Sequence, residues 1–213
     1  MEKRTEHLIS GLGNFGIKLS ESILLRELEF LDELLRWSDR INLTAIKNQQ
    51  EGIEKHLIDS LVLLLFLRDE LLLDLGTGAG IPSIPLAIAR PELAIVSVES
   101  VGKKVNFQKH VRRKLSLNNL TPLNCRVESL VKENSYPQIT ARAFAPLDKI
   151  LALVHPLLTP GGRLLLLRGS KDEVNLNKST EALSRFDFII CKKHSYQLPF
   201  CKANRQILEI SRS

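Results

Sequence analysis

Sixteen residues, 71–86 (LLLDLGTGAGIPSIPL), constrain this chain more than any others. Leu71, Leu72 and Leu73 form an apolar run too short for a helix by itself and suited to a strand buried on both faces. Asp74 ends that run. Gly76, Gly78 and Gly80 follow at alternate positions, so the backbone can turn sharply and a ligand can lie against it without meeting a Cβ. Pro82 suits the first turn of a helix, where a missing N–H loses nothing. The stretch reads as strand, glycine loop, helix, the place where open α/β sheets hold a nucleotide-like ligand.

The spacing narrows the ligand. A Walker loop needs a lysine that is absent here, and the last place of the dinucleotide fingerprint, counted from Gly76, is Ile81. The pattern is D-x-G-x-G-x-G. A carboxylate at the lip of the loop would repel phosphates and suit a ligand with a cationic end. S-adenosylmethionine carries an ammonium and a sulfonium and no phosphate. The stretch resembles motif I of the S-adenosylmethionine-dependent methyltransferases; the alternative is a glycine-rich turn with no ligand. A literal G-x-G-x-x-G at Gly11–Gly13–Gly16 has no strand before it and reads as a turn ahead of the first long helix.

At 213 residues the chain is one large domain, or one with a smaller attachment. Its net charge of +6 suits an anionic partner such as nucleic acid, although solvated basic surfaces are common. Cys125, Cys191 and Cys201 are an odd set without C-x-x-C spacing, which argues against a disulfide framework or a zinc site and for reduced cytosolic thiols. The N-terminus has no apolar signal region, and the longest apolar run, residues 61–67, falls far short of a membrane span. A cytoplasmic protein with no membrane partner is expected.

Leu24, Leu28, Leu31 and Leu35 fall on one face of a helix that Ser20 or Ser22 can cap. Trp37 lies near its end. A second helix is predicted over 51–67, with Ile53, Leu57, Leu61 and Leu64 inward. Residues 1–68 thus read as a helical extension packed on a core of residues 69–213. In that core, strands are predicted at 71–75, 94–98, 123–127, 139–144, 163–167, 186–191 and 206–210. Helices are predicted at 82–89, 101–117, 147–158 and 174–185, and Pro160-Gly161-Gly162 as a turn. The alternation predicts an α/β fold: a mostly parallel sheet covered by helices on both faces.

Several side chains fall where such a fold does chemistry. Glu99 ends the second strand, where an acidic residue can accept both ribose hydroxyls of a nucleoside; otherwise it is a helix-cap carboxylate. Val127 and Glu128 end the third strand, where the adenine would fall; Glu128 could equally be a surface residue. Arg142 ends the fourth strand and could orient acceptor or cofactor, or form a structural salt bridge. The chain has neither the [DN]-P-P-[YF] segment of many exocyclic amine methylases nor a Pro-Cys pair for attack on a cytosine ring. What remains is an acceptor that is already nucleophilic, such as guanine nitrogen 7, for which orientation would supply most of the catalysis. His56 and Asp59 share a helix face, either as a site pair or as a surface pair. Lys103, Lys104, Lys109, His110, Arg112, Arg113 and Lys114 form the densest basic run, with Lys192, Lys193 and His194 a weaker one. Each is either a contact for RNA phosphates or a solvated face.

The ordered series resembles the bacterial family that methylates a guanine at nitrogen 7 in small-subunit ribosomal RNA (RsmG, formerly GidB). The resemblance rests on Trp37 with Asn42-Leu43-Thr44, His56-Leu57-Ile58-Asp59-Ser60, the glycine loop to Pro82, and Glu99-Ser100-Val101-Gly102-Lys103-Lys104-Val105. Arg126-Val127-Glu128, Arg142-Ala143-Phe144-Ala145 and Arg168-Gly169 complete it. It implies a Rossmann-like class I methyltransferase with a seven-stranded sheet and an N-terminal helical extension. It implies S-adenosyl-L-methionine as cofactor, bound by Gly76, Gly78, Ile81, Glu99, Val127, Glu128 and Arg142, and no metal. The implied substrate is a guanine in the 530 loop of 16S rRNA, within the small subunit or an assembly intermediate, with no obligate protein partner. Ala79, Ser83 and Glu99 stand where family members commonly have Pro, Gly and Asp; these changes keep the turn and the acidic group. The C-terminal strand, residues 204–210, is less typical of the family. Rival readings are a methyltransferase of the same fold with a small-molecule or protein acceptor, and a non-catalytic RNA- or ribosome-binding protein. A dehydrogenase is disfavoured by Ile81.

Overall fold

The computed structural model describes residues 2–130, 136–142, 145–169 and 176–212. Seven strands form one sheet in the order β3-β2-β1-β4-β5-β7-β6. They are β1 (Leu72–Leu75), β2 (Ile95–Glu99), β3 (Leu120–Asn124), β4 (Tyr136–Arg142), β5 (Leu158–Gly169), β6 (Phe188–Gln197) and β7 (Asn204–Arg212). Strands β1 to β5 pair in parallel, while β7 runs antiparallel between β5 and β6. The expected class I methyltransferase architecture is therefore present, with its order reversing between β1 and β4, where such sheets open a crevice.

Strand residues alternate between two apolar clusters, as the two-residue period requires. Leu72, Ile95, Leu165 and Ile207 point to one cluster; Leu73, Val98, Leu164 and Leu208 point to the other. The first cluster is shared with the N-terminal helices α1 (Glu2–Gly13) and α2 (Glu21–Ile41), and with Ile53, Leu57 and Leu61. Helices α5 (Ser83–Ala89) and α6 (Gly102–Lys114) lie on the same face. On the opposite face are α7 (Leu147–Val154) and the end of α8 (Leu176–Arg185).

Helix α2 is well specified locally. Ser20 caps it by accepting from the Ile23 N–H, and Asn42 ends it in the left-handed conformation at φ 52°. Leu24, Leu28 and Leu31 are buried and Leu35 is partly buried, as the periodicity predicts. Helix α2 docks on α6 through the buried Glu33, which accepts from His110 (2.9 Å), Lys114 (2.5 Å) and Arg36. Burial opposes ionisation of Glu33, but these three donors outweigh it and hold its pKa at about 2.

Glu27, on the same helix, is the opposite case. It is fully buried with neither carboxylate oxygen hydrogen-bonded, and burial pushes its pKa well above the usual range. Glu27→Met removes the unpaired polar group and is expected to stabilise the fold by about 1–3 kcal/mol. Thermal denaturation would show a melting point raised by several degrees; an unchanged or lower one would contradict this.

The predicted second helix is a continuous helical run with a change of pitch. It comprises α3 (Gln49–Gly52), a π-helical turn (Ile53–Ile58), α4 (Asp59–Leu61) and a 3-10 turn (Val62–Leu65). Such π turns are common at functional sites, and this one carries His56. Strand β3 starts three residues before the predicted segment, and Val127 opens a 3-10 turn (Val127–Ser129) rather than ending the strand. The cause is Pro122: it sits inside β3, which tolerates a missing N–H because it lies at the sheet edge. The predicted turn at Pro160-Gly161-Gly162 lies within β5, where the register against β4 shifts between Tyr136 and Gln138. Helix α5 begins at Ser83, one residue after Pro82. The G-x-G-x-x-G of the first residues straddles the end of α1: Gly11 is buried in the helix and Gly16 lies in the turn after it. Ala143 and Phe144 lie outside the described residues, as does the start of the predicted helix at 174. No helix among the described residues is long and apolar enough to cross a membrane.

Candidate functional site

The glycine loop after β1 is clamped from two sides. The N–H groups of Gly76 and Thr77 donate to the Val98 carbonyl at 3.0 and 3.2 Å. The Gly78 carbonyl accepts from Gln108 Nε2 of α6 at 2.8 Å. Gly78 sits at φ 62°, and a Cβ built on it meets nothing within 4 Å. Its N–H donates to Glu99 Oε2 at 3.1 Å, and Glu99 Oε1 accepts from the Val101 N–H at 2.8 Å. This donor is thus already given to a carboxylate, and a phosphate placed there would meet negative charge.

Two cavities meet at Gly76. The larger, about 410 Å³, is lined by Glu99, Lys104, Cys125, Arg126, Val127 and Glu128. The smaller, about 230 Å³, lies over the loop and is lined by Leu43, Thr44, His56, Gly78, Ile81 and Arg142. A nucleoside-sized ligand in the first would have its non-nucleoside end toward the second.

The walls of the smaller cavity are held from behind. Asp59 is 2 % exposed, accepts from Tyr196 Oη at 2.8 Å and Arg205 Nε at 3.2 Å, and forms an ion pair with Arg142 Nη2 at 3.2 Å. Arg142 also donates to the Lys55 carbonyl at 3.0 Å. Burial, then the neighbouring Asp59, raises the Tyr196 pKa, so its phenol stays a donor. His56 is 7 % exposed; its Nε2 lies 2.8 Å from Thr44 Oγ1, and its Nδ1 has no hydrogen-bond partner. Burial first, and then the Arg142 charge, lower the His56 pKa to about 4. The imidazole is therefore neutral at pH 7.

An unfolded chain takes up a proton on histidine near pH 6.5, whereas folded His56 resists it down to about 4. Its contribution is whole above pH 6.5 and is lost as the pH falls toward 4. Relative to His56→Gln, the wild type is expected to lose about 2–3 kcal/mol of unfolding free energy across that window. Its imidazole resonance is expected to titrate near 4; a midpoint near 6.5 would contradict the assignment.

A family model described as GidB, rRNA small subunit methyltransferase G, matches residues 25–208. The chain belongs to this family. A ribosomal RNA small subunit methyltransferase G from Syntrophotalea carbinolica is 40 % identical over 216 residues, covering 100 % of this chain and 98 % of that protein. Among solved structures, a precorrin-6y C5,15-methyltransferase from Geobacter metallireducens superposes with a TM-score of 0.55 at 16 % identity. It covers 82 % of this chain and 95 % of its own. The glycopeptide N-methyltransferase MtfA, complexed with S-adenosylmethionine, gives 0.54 at 12 % identity, over 68 % of this chain and 87 % of its own. These two likenesses concern the fold alone.

The seven residues singled out in the sequence all line one of the two cavities. Gly76, Glu99, Val127 and Glu128 border the larger, and Gly76, Gly78, Ile81 and Arg142 the smaller. His56 and Asp59 are both buried, so they are not a surface pair. Asp74 departs from expectation. It is fully buried rather than at the lip, and hydrogen-bonded to Ser83 of α5 with Oδ1 unpartnered. Burial, against the pull of Ser83 and Thr77, raises its pKa to about 6. The carboxylate at the lip is Glu99. Sequence reasoning missed Tyr196 and Arg205 as supports of Asp59, and Lys104 and Cys125 as cleft walls. Among the described residues, no group of three or more His, Cys, Asp or Glu is arranged to hold a metal ion.

Proposed function

We propose that this chain binds S-adenosyl-L-methionine and transfers its methyl group to nitrogen 7 of a guanine in the 530 loop of 16S rRNA. The observation that carries the reading is the loop donor given to Glu99 at the junction of two cavities, in a chain of this family. The residues fit the cofactor. Glu99 retains lone pairs beyond its two backbone donors and can accept ribose hydroxyls. Val127 and Glu128 would border the adenine, and Gly76, Gly78 and Ile81 the amino-acid end. The open side of Gly78 is a cradle that a Cβ would fill. Bound there, the cofactor supplies an electrophilic methyl group on its sulfonium.

The protein's part in the transfer is orientation. Nitrogen 7 of guanine has a free lone pair and no proton to lose, so no general base is required. His56, neutral at pH 7, is suited to hydrogen bonding rather than to charge. Arg142, fixed by Asp59 and the Lys55 carbonyl, has guanidinium N–H groups left for the acceptor's carbonyl oxygen. In the same reading, residues 1–68 are an extension that folds with the core, residues 69–213, as one unit and supplies Thr44 and His56 to the acceptor side. The substrate is the RNA within the small subunit or an assembly intermediate, in the cytoplasm, without metal or obligate protein partner.

Nucleoside analysis tests this. Small subunits incubated with the protein and cofactor are expected to yield 7-methylguanosine as the one new methylated nucleoside. Methyl transfer to subunit proteins, or a different methylated nucleoside, would overturn the reading.

A further inference from the structure

The positive charge of this chain is concentrated in one place. Between Ser100 and Val127 there are seven lysines and arginines and no acidic residue, so the remainder of the chain carries a net charge of −1. The segment comprises α6, β3 and the approach to the 3-10 turn at Val127. Its charges do not all serve the same end. Lys114 is bound to Glu33 and Glu29, and His110 to Glu33, which docks α6 on α2. Lys103, Lys109, Arg112 and Arg113 are exposed and pair with no carboxylate among the described residues.

Geometry arranges the free charges. Lys103, Lys109 and Arg113 fall on one outer face of α6, away from the inward Val105, Phe107 and Val111. They span about 15 Å of helix, enough to meet several successive phosphates. Lys104, in the first turn of α6, and Arg126 bring the same sign to the mouth of the larger cavity. The stripe therefore leads to the cleft.

We propose that this α6 face, Lys103, Lys109 and Arg113 with Arg126 at the cleft mouth, takes the sugar-phosphate backbone of the RNA substrate. The inference rests on the functional reading above and adds the surface on which the RNA is held. Phosphate contacts position a nucleic acid without reading its sequence. On this surface they hold the RNA while the target base enters over the glycine loop.

The test uses the full chain carrying Lys103→Gln, Lys109→Gln and Arg113→Gln together. A double variant, Lys192→Gln with Lys193→Gln on exposed β6, serves as comparison. Binding of 16S rRNA is measured between about 50 and 200 mM salt, and cofactor binding by calorimetry. The triple variant is expected to keep its cofactor affinity, which shows that it is folded. Its RNA dissociation constant should rise at least about tenfold, and its salt slope should shrink by about two to three. The KM for small subunits should rise more than kcat falls. The β6 variant should lose far less. RNA affinity and slope unchanged in the triple variant, or reduced equally in the β6 variant, would overturn the surface. If the wild-type protein itself neither binds nor methylates the RNA, the functional reading falls and this surface with it.

Discussion

Gly78→Asp is expected to abolish cofactor binding in a protein that still folds. The backbone there is at φ 62°, a conformation aspartate tolerates better than most residues, so the loop keeps its turn. A Cβ at this position enters open space over the loop, where the ligand would lie. The new carboxylate would also stand beside Glu99, whose Oε2 is 3.1 Å from the Gly78 nitrogen. Two like charges a few ångströms apart near a protein surface repel by about 3 kcal/mol. With the lost space, the expected loss of affinity is at least about a hundredfold. Calorimetry on a variant with native circular dichroism checks it. Normal affinity would remove the glycine loop from the cofactor site.

The second large effect separates activity from stability. Arg142→Ala is expected to lower methyl transfer by about a hundredfold or more, the usual loss of one oriented donor in an active site. Its effect on stability should be near 1 kcal/mol, because Asp59 keeps Tyr196 and Arg205 as partners. Asp59→Ala should behave differently. It leaves two guanidinium groups and a phenol without their shared acceptor, and it is expected to destabilise the fold by about 3 kcal/mol or more. Rates and denaturation midpoints on the two variants decide the matter. Full activity in Arg142→Ala would take Arg142 out of the site.

Much of this could be read from the chain because the signals are local. Strand β1, the glycine loop and Glu99 lie within 28 residues, 72–99, and each carries its own constraint: burial on both faces, positive φ, a strand end. Strand β3 was harder to place because Pro122 breaks the propensity pattern, and only an edge position makes it acceptable. The π turn around His56 leaves no mark on hydrophobic periodicity over so short a run. The depth of Asp74 depends on Ser83 of α5, and the role of Asp59 on Tyr196 and Arg205, which lie 137 and 146 residues further along the chain. Local sequence has no register for such separations. They arise only once β7 is paired between β5 and β6. Tyr196 and Arg205 thus hold Asp59, which pairs with the arginine that lines the smaller cavity, and Arg205 comes from the strand, residues 204–210, that is less typical by sequence.

The most direct measurement is transfer of a labelled methyl group from S-adenosylmethionine to small subunits lacking the endogenous modification, with free 16S rRNA alongside. After digestion, the label is expected in a single fragment, at one 7-methylguanosine in the 530 loop. Label elsewhere in the RNA, or none while the protein binds the cofactor, would contradict the account.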